Sequence, residues 1–378
     1  MKIRTFFVVL LLVCSIALVG VGYFFDLQSR PDSAPTGPER EPYVELLADE
    51  REFAVVGSVV EEWTNWETGA AELNEQYGEL DRIYASEPVV ISWSIWDIPD
   101  GSFIRKQSFE IATDENFYNA EHYDLRAGKR NMELDNLLVD TQYFYRITVE
   151  LENHAGCTFT ESFKTKWSPR IVDGSNLSNV RDIGGWKTVD GKTVNQTVMY
   201  RGSELDGATE SRLRVTEEDV EILCSELQIK TELDLRPSEL EGVGDRLGQD
   251  VAHLRLPSPD YGNFATVVGK SQMKAVFDVL AEEDRYPVYL HCTDGADQTG
   301  VVCYVLDALL GMSEEDCYRE WELSVLANGD GDYEAMEQFV TAFRALEGDT
   351  LQDKAENYLL STGITQEQID RIRAILVQ

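Results

Sequence analysis

A helix with apolar residues on every side is the feature that most constrains the fold of this 378-residue chain. Residues 300–310 have the composition of a helix, and Asp307 is the only charge among them. A helix that is apolar all round must be buried. The apolar residues 288–290, entered through Pro287, predict a strand just before it. We therefore expect this strand and helix to lie in the middle of their domain.

Strand and helix patterns alternate on both sides of this pair. The expected strands are 198–200, 230–235 and 252–256. The expected helices are 217–227 with Thr216 as N-cap, one from Ser271 to about residue 282, and three that begin at the capping pairs Ser313 with Asp316, Thr350 with Asp353 and Thr365 with Gln368. Such alternation predicts an α/β domain at 168–378, with a mostly parallel sheet covered by helices on both faces.

The segment between the buried strand and the buried helix, His291 to Gly300 (HCTDGADQTG), has the residues of an anion site and is called here the Cys292 loop. Backbone N–H groups at a helix N-terminus form a concave site for anions. Gly295 and Gly300 allow the backbone to turn and approach a ligand closely. A cysteine in such a site is stabilised as a thiolate and can attack a bound phosphorus. The alternative, a buried structural cysteine, leaves the glycines and Thr299 unexplained.

The Cys292 loop resembles the HCxxGxxR(S/T)G signature of cysteine-dependent protein phosphatases. It is most similar to the bacterial tyrosine/lipid phosphatase branch, with loops such as HCTAGKDRTG, and to the myotubularin loop HCSDGxDRT. Three upstream segments resemble further elements of the bacterial branch. Asn179 to Trp186 (NVRDIGGW) matches NxRDxGG, and Met199 to Leu205 (MYRGSEL) is similar to LYRSxxL. Leu233 to Arg236 (LDLR), followed by Glu239, is similar to DLRxxxE, with the glutamate one residue closer to the arginine. The resemblance covers about residues 170–378 and implies a phosphatase fold.

The resemblance also implies roles for individual residues. Cys292 is the expected nucleophile, Asp297 the favoured general acid and Asp234 the second candidate, although either carboxylate is also explained as a solvated or helix-capping group. The expected substrate-binding residues are Thr293, Asp294, Gly295, Ala296, Gln298, Thr299, Gly300, Arg236 and Arg201. The family mechanism implies no metal and no organic cofactor. His291 is expected to fix the loop, and the Thr299 hydroxyl to bond to the sulfur.

Gln298 stands where the resemblance requires an arginine, six residues after the cysteine. Arginine supplies a permanent charge and a bidentate fork for phosphate oxygens, whereas glutamine supplies one neutral amide. Three interpretations remain open. The enzyme is slow, with Arg201, Arg236 or Arg181 reaching the phosphate; or the domain is a catalytically dead pseudophosphatase that acts as an extracellular binding module; or the substrate is less charged than a phosphomonoester.

A different pattern precedes the α/β domain. Val89, Ile91, Trp93 and Ile95 alternate with smaller or polar residues, which predicts a half-buried strand. Further short strands are expected at 104–111, 131–137, 142–151 and 158–164. Evenly spaced short strands indicate a β-sandwich, here at 85–167. Residues 138–147 resemble the corner before the sixth strand of a fibronectin type III domain, and Trp93 stands where that family places its core tryptophan.

The first residues have the pattern of an address or a membrane anchor. Lys2 and Arg4 precede the uncharged, mostly apolar residues 6–25, long enough for a helix to cross a bilayer. We expect an uncleaved anchor within 1–25, with a cleaved signal or a lipoprotein as alternatives, and an extracytoplasmic or secreted chain. Residues 26–42 are proline-rich and predict a linker. Residues 43–84 are acidic, with mixed helical and extended patterns that define no structure.

The net charge limits the partners. With 33 basic and 69 acidic residues, the chain carries −36, which argues against nucleic-acid binding and against adhesion to anionic lipid by charge. We therefore expect contact with the membrane through the N-terminal helix only. The expected partners are a phosphorylated protein or a small phosphoester at the Cys292 loop, and a protein or glycan at the β-sandwich. Six cysteines are too few for a disulfide scaffold.

Overall fold

The computed structural model describes residues 40–65, 68–78, 83–240 and 244–378. The anchor expected within 1–25, and all of the 26–42 linker except its last three residues, lie outside the described residues. Among the helices of the described part, none is long and apolar enough to cross a membrane.

The N-terminal half of the described chain contains two packed antiparallel sheets, apart from one short parallel pair. Their strands are β1 (Tyr43–Leu46), β2 (Glu52–Phe53), β3 (Val89–Trp96), β4 (Ile104–Ala112), β5 (Glu121–Leu125), β6 (Asn131–Leu134), β7 (Gln142–Leu151) and β8 (Cys157–Thr165). One sheet has the order β1-β3-β6 and the other β2-β8-β7-β4-β5, with β2 and β8 parallel. Alternate residues of β3 and β7 are buried, as the period of two predicted.

Two details of this sandwich match the fibronectin type III pattern. Trp93 is fully buried, and its ring stacks on Phe109 with the ring centroids 6.2 Å apart. The Tyr143 hydroxyl accepts a hydrogen bond of 2.8 Å from the Leu138 backbone N–H, which is the tyrosine-corner contact. These contacts fix the corner and the core that the sequence predicted.

Three strands of the sandwich were not expected from the sequence. β5 is an edge strand whose residues are exposed or half-buried, so it lacks the apolar alternation that marks a strand. β1 and β2 lie in the acidic segment 43–84 and are short. β1 pairs with β3, and β2 with β8, so their conformation depends on partners far away in the chain.

The C-terminal part contains a six-stranded sheet with the order β13-β12-β14-β11-β10-β9. The strands are β9 (Arg170–Ile171), β10 (Arg181–Asp182), β11 (Met199–Gly202), β12 (Thr231–Asp234), β13 (Ala252–Arg255) and β14 (Val288–His291). The four strands from β13 to β11 are parallel, whereas β10 and β9 are antiparallel. The sheet is therefore mixed, and the expected parallel arrangement holds for its central part.

Seven α-helices accompany this sheet in the described part of the chain. They are α3 (Glu217–Glu221), which continues as a π-helix at Ile222–Glu226, α4 (Val267–Leu280), α5 (Asp297–Leu310), α6 (Glu314–Asn328), α7 (Tyr333–Arg344), α8 (Leu351–Thr362) and α9 (Gln366–Leu376). The N-caps expected at Thr216, Ser313, Thr350 and Thr365 are confirmed. The cap expected at Ser271 is wrong, because Thr266 accepts from the Gly269 N–H and begins α4.

Helices cover the sheet on both faces. Val288 and Leu290 of β14 pack into a core that includes α4 and α5, whereas Tyr289 points to the opposite core with Leu223. The side chains of α5 from Thr299 to Leu310 are buried, as its apolar composition required. The Cys292 loop therefore joins the central strand β14 to a helix surrounded by protein.

Two short helices link the N-terminal half to the α/β part. They are α1 (Ser58–Thr64) and α2 (Ala70–Tyr77), which follow β2 and precede β3 in the chain. The fully buried Trp63 of α1 donates a 3.1 Å hydrogen bond from Nε1 to Glu322 of α6, and the Arg319 guanidinium lies 3.8 Å from the centre of a Trp63 ring. The Ala70 N–H also bonds to Glu322, so the acidic segment forms part of the support of α6.

We expect Trp63→Ala to lower the free energy of unfolding of the full-length protein by about 3–5 kcal/mol, because it empties a buried site and removes a hydrogen bond to Glu322. Chemical denaturation followed by fluorescence measures the change. Phe103→Ala is the control, because Phe103 is 61% exposed, and it should change the value by no more than about 0.5 kcal/mol. Equal stability of the two variants would mean that α1 does not support α6.

Candidate active site

The carbonyl groups of residues 293–296 in the Cys292 loop are all held by the surrounding protein. Thr293 O accepts from the Glu204 N–H at 2.8 Å, and Asp294 O accepts from the Asn179 side chain at 2.8 Å. Further acceptors are Gly295 O, bonded to Arg201, and Ala296 O, bonded to the Tyr261 hydroxyl. Because the N–H and C=O of a trans peptide point in opposite directions, the loop N–H groups face the inside of the loop.

The N–H groups of residues 293–299 donate to no acceptor within the described part of the chain. They lie at the N-terminus of α5, where the helix dipole adds positive potential. An array of convergent, unpaired backbone donors at a helix N-terminus binds anions. The anion site expected from the sequence is thus supported by the hydrogen-bonding pattern of the loop.

Helix α6 holds one side of the loop through a buried ion-pair cluster. Glu320 accepts hydrogen bonds from Arg181, at 2.7 Å from Nε, and from Arg201. Arg201 in turn donates to Gly295 O at 2.6 Å, and all three charged side chains are buried. Burial by itself lowers the pKa of Arg201, but neighbouring acidic groups, including Glu320, raise it overall. The cluster fixes the middle of the loop.

Two aromatic residues, Trp321 and Tyr261, hold the loop at Ala296. Trp321 of α6 donates from Nε1 to the Tyr261 hydroxyl at 2.6 Å, and Tyr261 donates to Ala296 O at 3.2 Å. The Trp321 ring also approaches Gly300 so closely that a Cβ there would lie 2.9 Å from it. Gly295 has a φ of +71°, and a Cβ there would lie 2.4 Å from Gly202 O. Both loop glycines are required by packing or by backbone conformation.

Cys292 lies at the base of the loop, directly after β14, and is 3% exposed. The Thr299 hydroxyl is fully buried and has no hydrogen-bond partner among the described residues. The expected bond from Thr299 to the Cys292 sulfur is therefore not formed in this structure. Thr299 is thus a free donor within the loop, and its side chain can turn toward a ligand or toward the sulfur.

His291 is bonded at both ring nitrogens. Nδ1 lies 2.9 Å from the Cys292 carbonyl oxygen, and Nε2 lies 3.0 Å from Glu232 Oε1. The other oxygen of Glu232 lies 3.1 Å from His253 Nδ1, without the alignment of a hydrogen bond, so this contact is an ion pair when His253 is protonated. The two histidines and the glutamate form a chain from the surface to the base of the Cys292 loop. His291 thus fixes the loop as expected.

Asp297 is the first residue of α5, and its side chain is exposed at the rim of the loop. Partial desolvation raises the pKa of Asp297, the Tyr261 hydroxyl opposes this shift, and the like charges of Asp332 and Asp260 add to it. A raised pKa keeps a larger fraction of the carboxyl protonated near neutral pH. This is the state required of a general acid.

Asp234, the second expected general acid, is placed differently. It is fully buried and accepts two hydrogen bonds from the Arg236 side chain and one from the Arg236 N–H, at 2.8–2.9 Å. Arg236 also pairs with Glu204 and Asp206. A role for Asp234 in proton transfer would require it to leave Arg236, so the geometry favours Asp297.

The two arginines expected to bind substrate are both engaged in buried ion pairs, Arg201 with Glu320 and Arg236 with three carboxylates. Arg181 is held by Glu320 in the same way. A direct contact between any of these guanidinium groups and a bound phosphate would require these ion pairs to break. The interpretation in which one of them substitutes for the missing loop arginine has no support in their hydrogen bonds.

Gln298 occupies the first turn of α5 and is partly exposed. No described residue forms a hydrogen bond with its side chain. Asp294 lies nearby at the rim, 3.6 Å from Arg212, and desolvation together with Glu210 raises the pKa of Asp294. The rim thus carries carboxylates, while the position of the signature arginine is neutral.

The fold and the loop together define a class: an α/β protein with a cysteine in a backbone anion site, between a central parallel strand and a buried helix. A family model described as "Tyrosine phosphatase family" matches residues 172–378, more than half of the chain. The chain belongs to this family, and it is by family a protein-tyrosine-phosphatase-like phosphoric monoester hydrolase.

Several solved structures are similar to part of this chain. The core catalytic domain of the PP-IP phosphatase Siw14 from S. cerevisiae is 15% identical, covers 39% of this chain and 83% of its own, and has a TM-score of 0.29. P. aeruginosa TpbA, solved in complex with pTyr, is 18% identical, covers 46% of this chain and 91% of its own, and has a TM-score of 0.30. The fn3 domain of human contactin 1 is 13% identical, covers 39% of this chain and 93% of its own, and has a TM-score of 0.18. A comparison with curated protein sequences found no match.

Several residues that shape the site were not identified from the sequence. They are Glu232, Tyr261, Glu320, Trp321 and Ser324. The three from α6 lie outside every matched motif, and the only sequence signal was a glutamate and a serine spaced four apart, on one face of a helix. That spacing is common on exposed helices, so it did not distinguish a buried cluster.

Proposed function

We propose that this protein is an exported phosphatase that hydrolyses phosphomonoesters, with phosphotyrosine-type protein substrates, through a cysteinyl-phosphate intermediate. The observation that carries the proposal is the Cys292 loop, in which the N–H groups of residues 293–299, directly after Cys292, donate to no acceptor among the described residues. These donors can bind the phosphoryl oxygens and place the phosphorus next to the sulfur.

The first chemical step forms the covalent intermediate. The Cys292 thiolate attacks phosphorus, a sulfur–phosphorus bond forms and the bond to the ester oxygen breaks. Asp297 gives its proton to the departing oxygen, which its position at the rim and its raised pKa both favour.

The second step releases phosphate. A water molecule attacks phosphorus, the Asp297 carboxylate takes the proton from that water, and the sulfur–phosphorus bond breaks to return the thiolate. The loop N–H groups stabilise the negative oxygens throughout. Arg181 and Arg201 act indirectly, because they hold Glu320 and the Gly295 carbonyl on the outer side of the loop.

An aryl phosphate suits this loop better than an alkyl phosphate. Phenolate is a better leaving group than an alkoxide, since the tyrosine hydroxyl has a pKa near 10. A loop without its arginine stabilises the transition state less, so it depends more on the leaving group. The proposed preference for phosphotyrosine-type substrates follows from this argument.

A second candidate function is phosphate-dependent binding without turnover. Gln298 favours it, because a neutral amide replaces a group that contributes about 10³–10⁵ to the rate of other phosphoryl transfers. The backbone donors remain, so recognition of a phosphorylated partner would persist when catalysis is lost. The domain would then be a binding module outside the cell.

The proposed location rests on the sequence of residues 1–42. The apolar run after Lys2 and Arg4 and the proline-rich segment behind it support an exported chain held above the membrane. Protease treatment of intact cells, with detection of the C-terminal domain, tests this. Cleavage in intact cells is expected, and survival of the domain until lysis would contradict export.

Turnover and binding are separated by one comparison. The full-length protein is assayed with a phosphotyrosine peptide, the matching phosphoserine peptide and an aryl phosphate, and binding of each peptide is measured in parallel. Phosphate release from the aryl esters is expected. Binding of the phosphotyrosine peptide without release would favour the binding module, and the absence of both would contradict a functional anion site.

We expect Asp297→Asn to remove the alkaline fall of the pH–rate profile. Asp297 must be protonated in the first step, so activity should fall as the pH rises through its raised pKa. The variant should also lose about 10²–10³ in kcat on a peptide, and less on an aryl phosphate with a good leaving group. Steady-state kinetics from pH 5 to pH 8 measures both. An unchanged alkaline limb would assign the general acid elsewhere, and Asp234→Asn would then be tested.

A further inference from the structure

Three side chains, His253, Glu232 and His291, contact one another in that order, and His291 contacts the backbone of Cys292. The role of His291 in fixing the loop does not explain why Glu232 also contacts His253. Both nitrogens of His291 face acceptors that carry no hydrogen: the Cys292 carbonyl at 2.9 Å and a Glu232 oxygen at 3.0 Å. A neutral imidazole has one N–H and could satisfy only one of them. With Glu232 ionised, the geometry therefore favours a His291 ring that carries hydrogens on both nitrogens.

Glu232 is placed to hold two positive rings. It is 1% exposed, with one oxygen toward His291 and the other 3.1 Å from His253. Burial opposes its charge, yet the two histidines lower the pKa of Glu232 to about 2. Glu232 raises the pKa of His253, and it raises the pKa of His291 against the effect of burial.

We propose that Glu232 and His253 keep His291 as an imidazolium, so that a buried positive charge lies directly behind Cys292 and supplies part of the anion attraction that an arginine at position 298 would supply. When both rings are protonated, the three residues His253, Glu232 and His291 together carry one net positive charge. Glu232 and His253 are positioning residues, since they act on the site through His291.

The charge beneath the loop depends on pH through His253. Its ring is about one-fifth exposed, so it can exchange protons with solvent, whereas His291 is fully buried. The charged groups that raise the pKa of His253 are Glu232, Asp234 and Asp245. Those around His291 are Glu232 and Asp234, with the Tyr289 ring 5.6 Å away. The net charge of His253, Glu232 and His291 together is positive when His253 is protonated, and it is near zero when the pH lies above the raised pKa of His253.

The inference rests on the proposed function only in that Cys292 is the reacting group, and its tests need no turnover. The chain has four histidines, so nitrogen NMR of the imidazole rings can be assigned with His122→Gln and His154→Gln. In the full-length protein at pH 7, His291 should show two protonated nitrogens. A neutral His291 ring in the folded wild-type protein would overturn the proposal.

A second test measures the rate of alkylation of Cys292 by iodoacetamide and its protection by sulfate, which stays a dianion between pH 6 and pH 8. In the wild-type protein, protection should be about three- to tenfold stronger at pH 6 than at pH 8. His253→Gln should remove this difference. His122→Gln is the matched control, because His122 also contacts a carboxylate, Asp124 at 3.2 Å, but lies on β5 of the sandwich.

His253→Lys separates charge from packing, because lysine places a permanent cation beside Glu232. It should restore strong sulfate protection at both pH values. If His253→Gln weakens protection and His253→Lys does not restore it, the role of His253 is packing and the proposal fails. If sulfate protection in His253→Gln is still stronger at pH 6 than at pH 8, the charge does not come from His253, Glu232 and His291, and the proposal fails. If both variants behave as expected but no phosphate is released, the inference stands and the proposed catalysis fails.

Discussion

Replacing Gln298 with arginine is expected to raise phosphatase activity by at least about tenfold, because it restores a bidentate cation to a loop whose other parts are in place. The upper limit is about 10³–10⁵, the contribution of a transition-state arginine elsewhere. Gln298 lies on the first turn of α5, partly exposed and without a described hydrogen-bond partner, so a longer side chain meets no bond that must be broken. The measurement is kcat/KM for a phosphotyrosine peptide.

Gln298→Lys is the matched control for Gln298→Arg. It adds the charge without the planar fork, so its gain should be smaller. Equal gains would show that charge alone was missing. No gain in either variant, with no turnover in the parent, would mean that the loop has lost more than its arginine. Ala296 and Asp294 would then be the next positions to change, because Ala296 supplies no positive charge and Asp294 adds a negative one.

Cys292→Ser is expected to abolish turnover, with a loss of about 10⁴-fold or more, because the nucleophile of the covalent step is removed. Binding of phosphate should persist, since the donors are backbone N–H groups that the substitution does not touch. Phosphate release is measured together with peptide binding. To widen the measurable range, the substitution is also made together with Gln298→Arg.

Cys303→Ser is the control for Cys292→Ser. Cys303 is a buried cysteine in α5, and burial raises its pKa well above the usual value, so it is not a nucleophile. Its replacement should leave catalysis intact in a folded protein. Turnover that survives Cys292→Ser would exclude the cysteinyl-phosphate mechanism, and loss of binding in that variant would mean that the sulfur itself holds the ligand.

Local patterns predicted the central part of the α/β domain. The strand at 288–290, the loop and the buried helix after it are adjacent in the chain, so neighbouring residues were enough to predict their burial. Four of the five expected N-caps were confirmed for the same reason. The N-cap predicted at Ser271 was wrong because α4 begins with Val267 and Val268, which are exposed. Two exposed apolar residues do not follow the pattern of a helix with one buried face, so the start of α4 was placed too late.

Patterns that depend on distant partners were not predicted. β1 and β2 are short strands in an acidic segment and form only against β3 and β8. The strands β10 and β9, which form the antiparallel end of the sheet, have two residues each and carry no period. α1 was undefined for a similar reason, since Trp63 is stabilised by Glu322, more than 250 residues later in the chain.

By itself, the sequence determined the family, the order of its motifs, the position of Cys292 and the absence of the signature arginine, because each of these is a local string of residues. Only the tertiary structure decided what the charged residues do. Arg201 and Arg236 were expected at the substrate but are buried against carboxylates from other elements, and His291 is bonded to Glu232 of a neighbouring strand. The reason is physical: a buried charge must find an opposite partner, and the identity of that partner depends on which strands and helices lie side by side.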